Sequence, residues 1–236
     1  MQLERLLRSQ GYGSRPECRA LIASGRVSIA GVVFDDPYAE FSPQGFRCEI
    51  DGQSVVYREF AYLLLNKPAG FECSQKPRHH PSVYSLLPLP LLTRGVQAVG
   101  RLDEDTTGLL LLSDDGQFIH RYTSPKKKIV KIYEVSTKHS VDEVQRAALL
   151  TGVQLHDEPS PIAAAACEII SERLLRMSLT EGKYHLVKRM VAAAGNRVEA
   201  LTRVAIGTLS LPTDLAPGAW CWLTDGDLQA LAQNPA

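Results

Sequence analysis

Three consecutive acids, Asp103, Glu104 and Asp105, stand inside the stretch GRLDEDTTGLLLLSDDG, Gly100–Gly116. Gly100 and Gly108 bracket a tight loop, a strand is expected over Val96–Val99, and Leu109–Leu112 is an apolar run of the length of a buried strand. Asp103 and Asp105 are thereby placed on a loop between two core strands. Aspartate is common in turns because its side chain bonds nearby backbone, so solvated turn acids are one reading. A turn needs only one such residue. This loop also holds Arg101, able to pair with a carboxylate, and Thr106 and Thr107, whose hydroxyls can fix it by hydrogen bonds. Paired acids also suit a magnesium ion in a phosphoryl-transfer site, but the chain has neither a Walker-type phosphate loop nor a GxGxxG loop, which also makes a nucleotide cofactor unexpected.

Two further stretches carry chemistry. In IHRYTSPKKKIVKIYEVSTK, Ile119–Lys138, the cations Arg121, Lys126, Lys127, Lys128 and Lys131 occur with no acid between Gly116 and Tyr133. Ile129–Val135 alternates as a strand, so Lys131 and Tyr133 share a face. A basic loop feeding a strand that displays a lysine and an aromatic ring suits a phosphate chain and a stacked base; the tyrosine taken alone reads more readily as a sheet residue packed on the core. In TEGKYHLVKRMVAAAG, Leu186, Val187, Met190, Val191 and Ala194 make a helical stripe closed by Gly195. Lys183, His185, Lys188 and Arg189 then gather near the N-terminal half of that helix. Cations there oppose the helix dipole, so an external anion or a carboxylate explains them better than helix stability does.

The elements that position these residues follow from pattern and punctuation. Leu3, Leu6 and Leu7 predict a first helix ending at Gly11–Gly13. Ser14 and Glu17 form a capping-box pattern for a second, with Pro16 in its first turn and Cys18, Leu21 and Ile22 as its buried stripe. Strands follow around Gly31, and Asp51-Gly52 marks a hairpin. A boundary near Tyr57–Ala61 divides a domain of residues 1–58 from one of residues 59–236. In the second, AYLLLNKPAG opens a strand, residues 77–90 form an irregular Pro-rich connection, and Ser140 with Glu143 caps a helix ending near Gly152. Strands are expected at Ile162–Ile170, Leu174–Leu179, Val198–Ile206 and Ala219–Leu223, and Thr224 starts a last helix.

A chain of 236 residues with 44% hydrophobic content buries a full core, and no apolar run approaches the roughly 20 residues that span a bilayer. Neither a signal peptide nor a membrane association is expected, which leaves the cytoplasm. The five cysteines have no CxxC spacing, and the adjacent His79 and His80 have no third ligand at helical or strand spacing, so neither disulfides nor a metal are expected. The formal net charge is +0, yet residues 1–26 hold Arg5, Arg8, Arg15, Arg19 and Arg26 against Glu4 and Glu17, an excess of three positive charges. Such clustering is the footprint of phosphate binding, with a solvated arginine face as the alternative.

The N-terminal order of two short helices followed by strands resembles the S4 RNA-binding domain. The whole chain resembles the pseudouridine synthases of the RsuA branch, the small-subunit ribosomal RNA pseudouridine synthase A type. LLNKPAG at Leu64–Gly70 resembles the family's first motif, GRLDEDTTGLLLLSDDG its second, KIYEV at Lys131–Val135 its third, and EGKYHLVKRM at Glu181–Met190 with RVAIGTLSL at Arg203–Leu211 its C-terminal motifs. DDGQFIHRYTSP and GVQLHDE resemble the small-subunit subgroup, whereas Leu186 stands where the family usually has glutamine.

The resemblance implies an α+β fold: a small S4-like domain, then a catalytic domain with a mixed, mainly antiparallel sheet flanked by helices. It implies that Asp103 is the nucleophile, Tyr133 the ring that stacks on the target base, and Lys188 the cation paired with Asp103. RNA contacts are expected from Arg5, Arg15, Arg19, Arg101, Arg121, Lys126, Lys127, Lys131, Lys183 and Arg189. The implied reaction is isomerisation of uridine in 16S ribosomal RNA or a small-subunit assembly intermediate, by a monomer without cofactor or metal. A carboxylate can open it by attacking C1′ of the ribose or C6 of the base. The competing reading, an assembly protein that binds RNA without catalysis, does not account for the Asp, Tyr and Lys set.

Overall fold

Leu109, Leu110, Leu111 and Leu112 are all fully buried, although their side chains alternate between the two faces of a sheet. A strand covered on both faces reads as an unbroken apolar run, which is why β7 (Thr107–Ser113) shows no alternation. The computed structural model describes residues 1–235 and divides into two units, Met1–Ala61 with Leu87–Gln97, and Tyr62–Leu86 with the chain from Ala98 onward.

In the first unit α1 (Leu3–Ser9) and α2 (Arg15–Ala23) pack against β1 (Val27–Ile29), β2 (Val32–Phe34), β3 (Arg47–Ile50) and β4 (Gln53–Val56), an antiparallel sheet in the order β2-β1-β3-β4. The capping box forms: Ser14 N–H donates to Glu17 Oε2 at 2.7 Å. Asp51 and Gly52 both take positive φ, as a two-residue hairpin turn requires. Leu3, Leu6, Cys18, Ile22, Phe46 and Val55 are among the residues of one apolar core. The segment Leu87–Gln97, containing α3 (Leu89–Thr93), belongs to this unit rather than to the one that surrounds it in sequence. Arg94 fastens it, donating to Gln10 Oε1 at 2.9 Å and to the carbonyls of Arg58 and Glu59, each at 3.1 Å.

The second unit is built on β5 (Tyr62–Lys67), β7, β8 (Lys131–Thr137), β9 (Ala166–Ser171), β10 (Leu174–Leu179), β11 (Val198–Ile206), β12 (Leu209–Ser210) and β13 (Trp220–Trp222), with β6 (Gln97–Ala98) where the chain re-enters. The main path runs β13-β5-β7-β11-β8-β10-β9 and is antiparallel at every step except β7–β11. This is the mixed, mainly antiparallel α+β sheet expected. Helices α4 (Gly116–Thr123), α5 (Glu143–Thr151), α6 (Leu186–Ala193) and α7 (Asp225–Ala232) join the strands. Two local expectations are corrected. Ser140 does not cap α5: its hydroxyl donates to Glu172 at 2.6 Å, and Asp142 caps instead, accepting from Gln145 N–H at 2.8 Å. Ile162 forms only an isolated bridge to Val153, and β9 begins at Ala166.

The strand register aligns one row across the sheet: Tyr133 of β8 lies opposite Arg203 of β11, Arg203 beside Gly108 of β7, and Gly108 opposite Lys67 of β5. β11 shifts register just after Arg203, the kind of bulge that re-aims side chains beside a site. Gly108 is the tight point. Its φ is +97°, and a methyl group there would meet the Arg203 carbonyl oxygen at 2.3 Å. Gly108→Ala is therefore expected to destabilise the second unit by at least about 2 kcal/mol, from left-handed strain plus displacement of β11. Urea unfolding followed by near-ultraviolet dichroism checks this; an unchanged midpoint would mean that β7 and β11 separate at little cost.

Candidate active site

The loop between Gly100 and Gly108 is held from beneath. Lys67 ends the apolar strand β5 with 0% of its surface exposed, and its ammonium donates to three backbone carbonyls: Pro68 at 3.0 Å, Glu104 at 3.0 Å and Thr106 at 2.9 Å. Burial drives this amine's pKa down, and the nearby Cys73, Glu104, Asp105 and Asp103 oppose the shift. The Gly70 N–H adds a bond to the Glu104 carbonyl at 2.9 Å, and the Thr106 N–H closes the turn onto the Asp103 carbonyl at 3.2 Å. The loop's backbone is thus fixed, while the side chains of Asp103 and Asp105 face α6.

Asp103 is 25% exposed and lies between two groups of the α6 region, with Lys188 Nζ 3.3 Å from Oδ2 and His185 Nε2 3.4 Å from Oδ1. The shorter bonds of Lys188 go elsewhere. It donates to both carboxylate oxygens of Asp105, at 2.6 and 2.8 Å, so the sequence-expected pair of Lys188 with Asp103 is the looser half of a three-membered cluster. Burial lowers the Lys188 pKa, but the Asp105 hydrogen bond and the charges of Asp103 and Asp105 outweigh it, and the net shift is upward. For Asp105 burial acts upward and Lys188 more than reverses it, so its carboxyl ends below the usual range. His185 caps α6 with φ 49° and ψ 29°, a left-handed geometry uncommon for a residue with a side chain.

These groups open on a cavity of about 880 Å³ whose lining includes Asp103, Tyr133, Lys131, Arg203, Lys188 and His185. Tyr133 is buried against the wall, with Arg203 as its cross-strand neighbour. Arg203 Nε donates to the Leu109 carbonyl at 2.8 Å, and its Nη2 is buried without a hydrogen-bond partner among the described residues. Lys131 donates to the Ile129 carbonyl at 3.1 Å, and burial followed by the charge of Arg203 brings its pKa down to about 8. On another side Glu72 accepts the N–H groups of Arg78, His79 and His80 at 3.2, 2.9 and 3.0 Å, curling the Pro-rich connection into the cavity wall. Neither histidine belongs to a metal-binding group; among the described residues no set of three or more His, Cys, Asp or Glu is disposed to hold an ion.

The remaining candidate residues divide. Arg101 is exposed on the cavity lining, and Arg121, Lys126 and Lys127 are exposed on α4 and the turn after it, beside the lining residues Ser124 and Pro125. Lys183 is paired with Glu158 at 2.7 Å and Glu181 at 3.0 Å, and Arg189 with Asp157, so both charges are already answered within the protein. In the first unit Arg5 is exposed, whereas Arg15 and Arg19 converge on Glu4, a carboxylate only 2% exposed. The Arg19 hydrogen bond, set against burial, holds the Glu4 carboxyl below its ordinary range. Sequence reading gave no role to Lys67, Arg203 or Glu72, and grouped His185 with the other cations of α6 without singling it out beside Asp103. A lysine closing the apolar run YLLLNK was the available signal for the first; the others depend on register and loop path.

Residues 61–193 match the RNA pseudouridylate synthase family. The chain is 38% identical over 240 residues to the uncharacterized RNA pseudouridine synthase YtzG of Bacillus subtilis, covering all of both chains. It is 37% identical to ribosomal small subunit pseudouridine synthase A of Salmonella typhimurium, over 98% of this chain and 100% of the relative. A crystal structure of a pseudouridylate synthase superposes with a TM-score of 0.70 at 34% identity, covering 98% of this chain and 99% of that one.

Removing the Lys67 ammonium leaves three carbonyls without their donor. Lys67→Met, close in volume, is expected to destabilise the second unit by about 2–4 kcal/mol and to lower kcat more than it raises KM, since the acids lose their fixed backbone. Thermal unfolding and steady-state kinetics on one RNA check both. A variant with the parent's melting temperature and kcat would show that water replaces the ammonium.

Proposed function

The chain belongs to the RNA pseudouridylate synthase family, and we propose that Asp103 is the nucleophile with which it isomerises a uridine of small-subunit ribosomal RNA. The observation that carries this is the setting of the Asp103 carboxylate. It faces the cavity from a backbone locked by Lys67, flanked by Lys188 and His185. The reaction breaks the N1–C1′ bond and makes a C5–C1′ bond, with a proton lost from C5 and one gained at N1. Product and substrate are isomers, so no redox step is involved. A carboxylate attacking C1′ or C6 divides the rearrangement into two easier steps.

The base has to leave its stack to reach the carboxylate. The Tyr133 ring, standing against the wall of the same cavity, is the surface on which the freed uracil rests. Lys188, bonded closely to Asp105 and more loosely to Asp103, sets a positive charge beside the attacking carboxylate without tying it down. Arg101, Arg121, Lys126 and Lys127 take the phosphates that flank the target, and Lys131 stands deeper, beside the base. In the first unit α1, α2 and the following strand form an S4-like RNA-binding domain whose arginines give a second foothold on the same RNA. The substrate on this reading is 16S ribosomal RNA or a small-subunit assembly intermediate. The enzyme works in the cytoplasm and as a monomer, since one chain supplies Asp103, Tyr133 and Lys188.

Two outcomes are expected. Asp103→Asn should lower turnover by more than about 10³-fold while leaving RNA affinity within a few fold, because the amide keeps the shape and loses the nucleophile. Tritium release from C5-labelled uridine in small-subunit RNA measures it, and appreciable residual turnover would remove Asp103 from the role. For the first unit, Arg5→Gln with Arg8→Gln should weaken binding and reduce the salt slope of log K by about 0.7–0.9 for each phosphate no longer neutralised, at unchanged stability. Arg19→Gln should in addition lower the melting temperature, because the buried Glu4 loses its hydrogen bond. An unaltered slope in the double variant would assign that face to solvent.

A further inference from the structure

Tyr184 is the only phenylalanine, tyrosine or tryptophan of the second unit, among the described residues, that lies mostly in water: 71% of it is exposed. It lines the rim of the cavity around Asp103. Its ring stacks on that of His185, with centroids 3.7 Å apart and planes inclined by 18°, and the same His185 approaches Asp103 at 3.4 Å. One face of the tyrosine is therefore covered and the other is open.

The backbone beneath the ring is held firmly. The Tyr184 carbonyl accepts from Arg189 Nη1 at 3.2 Å, Arg189 is paired with Asp157, and the preceding Lys183 is tied to Glu158 and Glu181. The position of the ring thus comes from the chain around it, and its free face is available to a flat partner. The charges argue for the kind of partner: two cations, Lys183 and Arg189, stand with three acids, Asp157, Glu158 and Glu181, so this part of the rim does not attract phosphate. A nucleobase is the part of RNA that an aromatic face holds without help from positive charge, and stacking of this kind accepts any base.

We propose that Tyr184 stacks on the nucleobase adjacent to the target uridine. The enzyme then engages RNA over at least two unpaired nucleotides, one inside the cavity and one on the Tyr184–His185 stack. This rests on reading the cavity as the uridine pocket. It makes Tyr184 a specificity residue that selects single-stranded over paired surroundings.

The test uses the full chain with Tyr184→Ala, Tyr184→Leu and Tyr184→Phe, protein-free small-subunit RNA, and a short single-stranded RNA carrying 2-aminopurine on both sides of one uridine. The parent and Tyr184→Phe should quench the 2-aminopurine emission, whereas the Ala and Leu variants should not. On small-subunit RNA, Tyr184→Ala should lose about 5- to 150-fold in kcat/KM, mostly through KM and with an unchanged pH profile, the range given by removing one base–aromatic stack. Quenching by Tyr184→Ala equal to the parent's would overturn the proposal. So would a loss confined to kcat with a displaced pH profile, which would make Tyr184 a support for His185 beside Asp103. A loss seen only on ribonucleoprotein and absent on protein-free RNA would likewise overturn it, in favour of a protein partner. Asp103→Asn separates this from the catalytic reading: it should quench like the parent while failing to turn over, and turnover by that variant would sink the nucleophile assignment alone.

Discussion

The ammonium of Lys67 is the point on which the catalytic unit depends. A charge removed from water is costly unless hydrogen bonds replace its hydration, and here three protons meet three carbonyls. Two of those carbonyls, Glu104 and Thr106, belong to the acidic loop, so the same bonds that stabilise the buried cation also fix the backbone around Asp103. An arginine would not substitute. Its planar fork suits carboxylates lying in one plane, whereas carbonyls converging from separate segments need a compact donor with three rotatable protons. The acidic loop is thus anchored at its backbone by Lys67, while its Asp103 and Asp105 side chains are engaged separately, by Lys188 and His185.

The sheet carries that anchoring across to the aromatic wall. β7 and β11 run parallel, in a sheet otherwise antiparallel along its main path, and this places the start of β7 beside the middle of β11. The Thr107 and Thr202 hydroxyls meet at 2.8 Å across that step, and Gly108 lets the backbones approach where a side chain would not fit. Arg203 then reaches over β7 to the Leu109 carbonyl while standing opposite Tyr133. Lys67, Gly108, Arg203 and Tyr133 come from four strands and form one row, so the ammonium that anchors the acidic loop and the ring are held at a separation set by the strand spacing of the sheet.

What was legible in the sequence follows from how local the cause is. The capping box at Ser14 and Glu17, the hairpin at Asp51-Gly52 and the strands Leu174–Leu179 and Val198–Ile206 are written in neighbouring residues, and the structure has them as read. The cap of α5 was misplaced because Ser140 and Asp142 both suit the role, and the choice went to a distant partner, Glu172. The segment Leu87–Gln97 was assigned to the unit around it because no pattern reveals that a Leu- and Pro-rich stretch is fastened by Arg94 to residues 10, 58 and 59. At the site, the acids, the tyrosine and the helix cations were visible as residue types. The partition of Lys188 between Asp105 and Asp103 was not, since it depends on side-chain reach across 83 residues of sequence.

The N-terminal end of α6 shows why charge counting along the chain misleads. Lys183, Lys188 and Arg189 are cations at the end of a helix where the dipole disfavours them, and read alone they form a phosphate-binding patch. The structure sets five acids around them, Asp103, Asp105, Asp157, Glu158 and Glu181, from three separate segments. Three positive charges facing five negative ones leave this side of the cavity without attraction for a polyanion. Arg101, Arg121 and the turn Lys126–Lys128, by contrast, face water. The near-zero net charge of the whole chain thus includes both cations already compensated around α6 and cations exposed elsewhere, and position along the sequence does not say which of the two a given lysine or arginine will be.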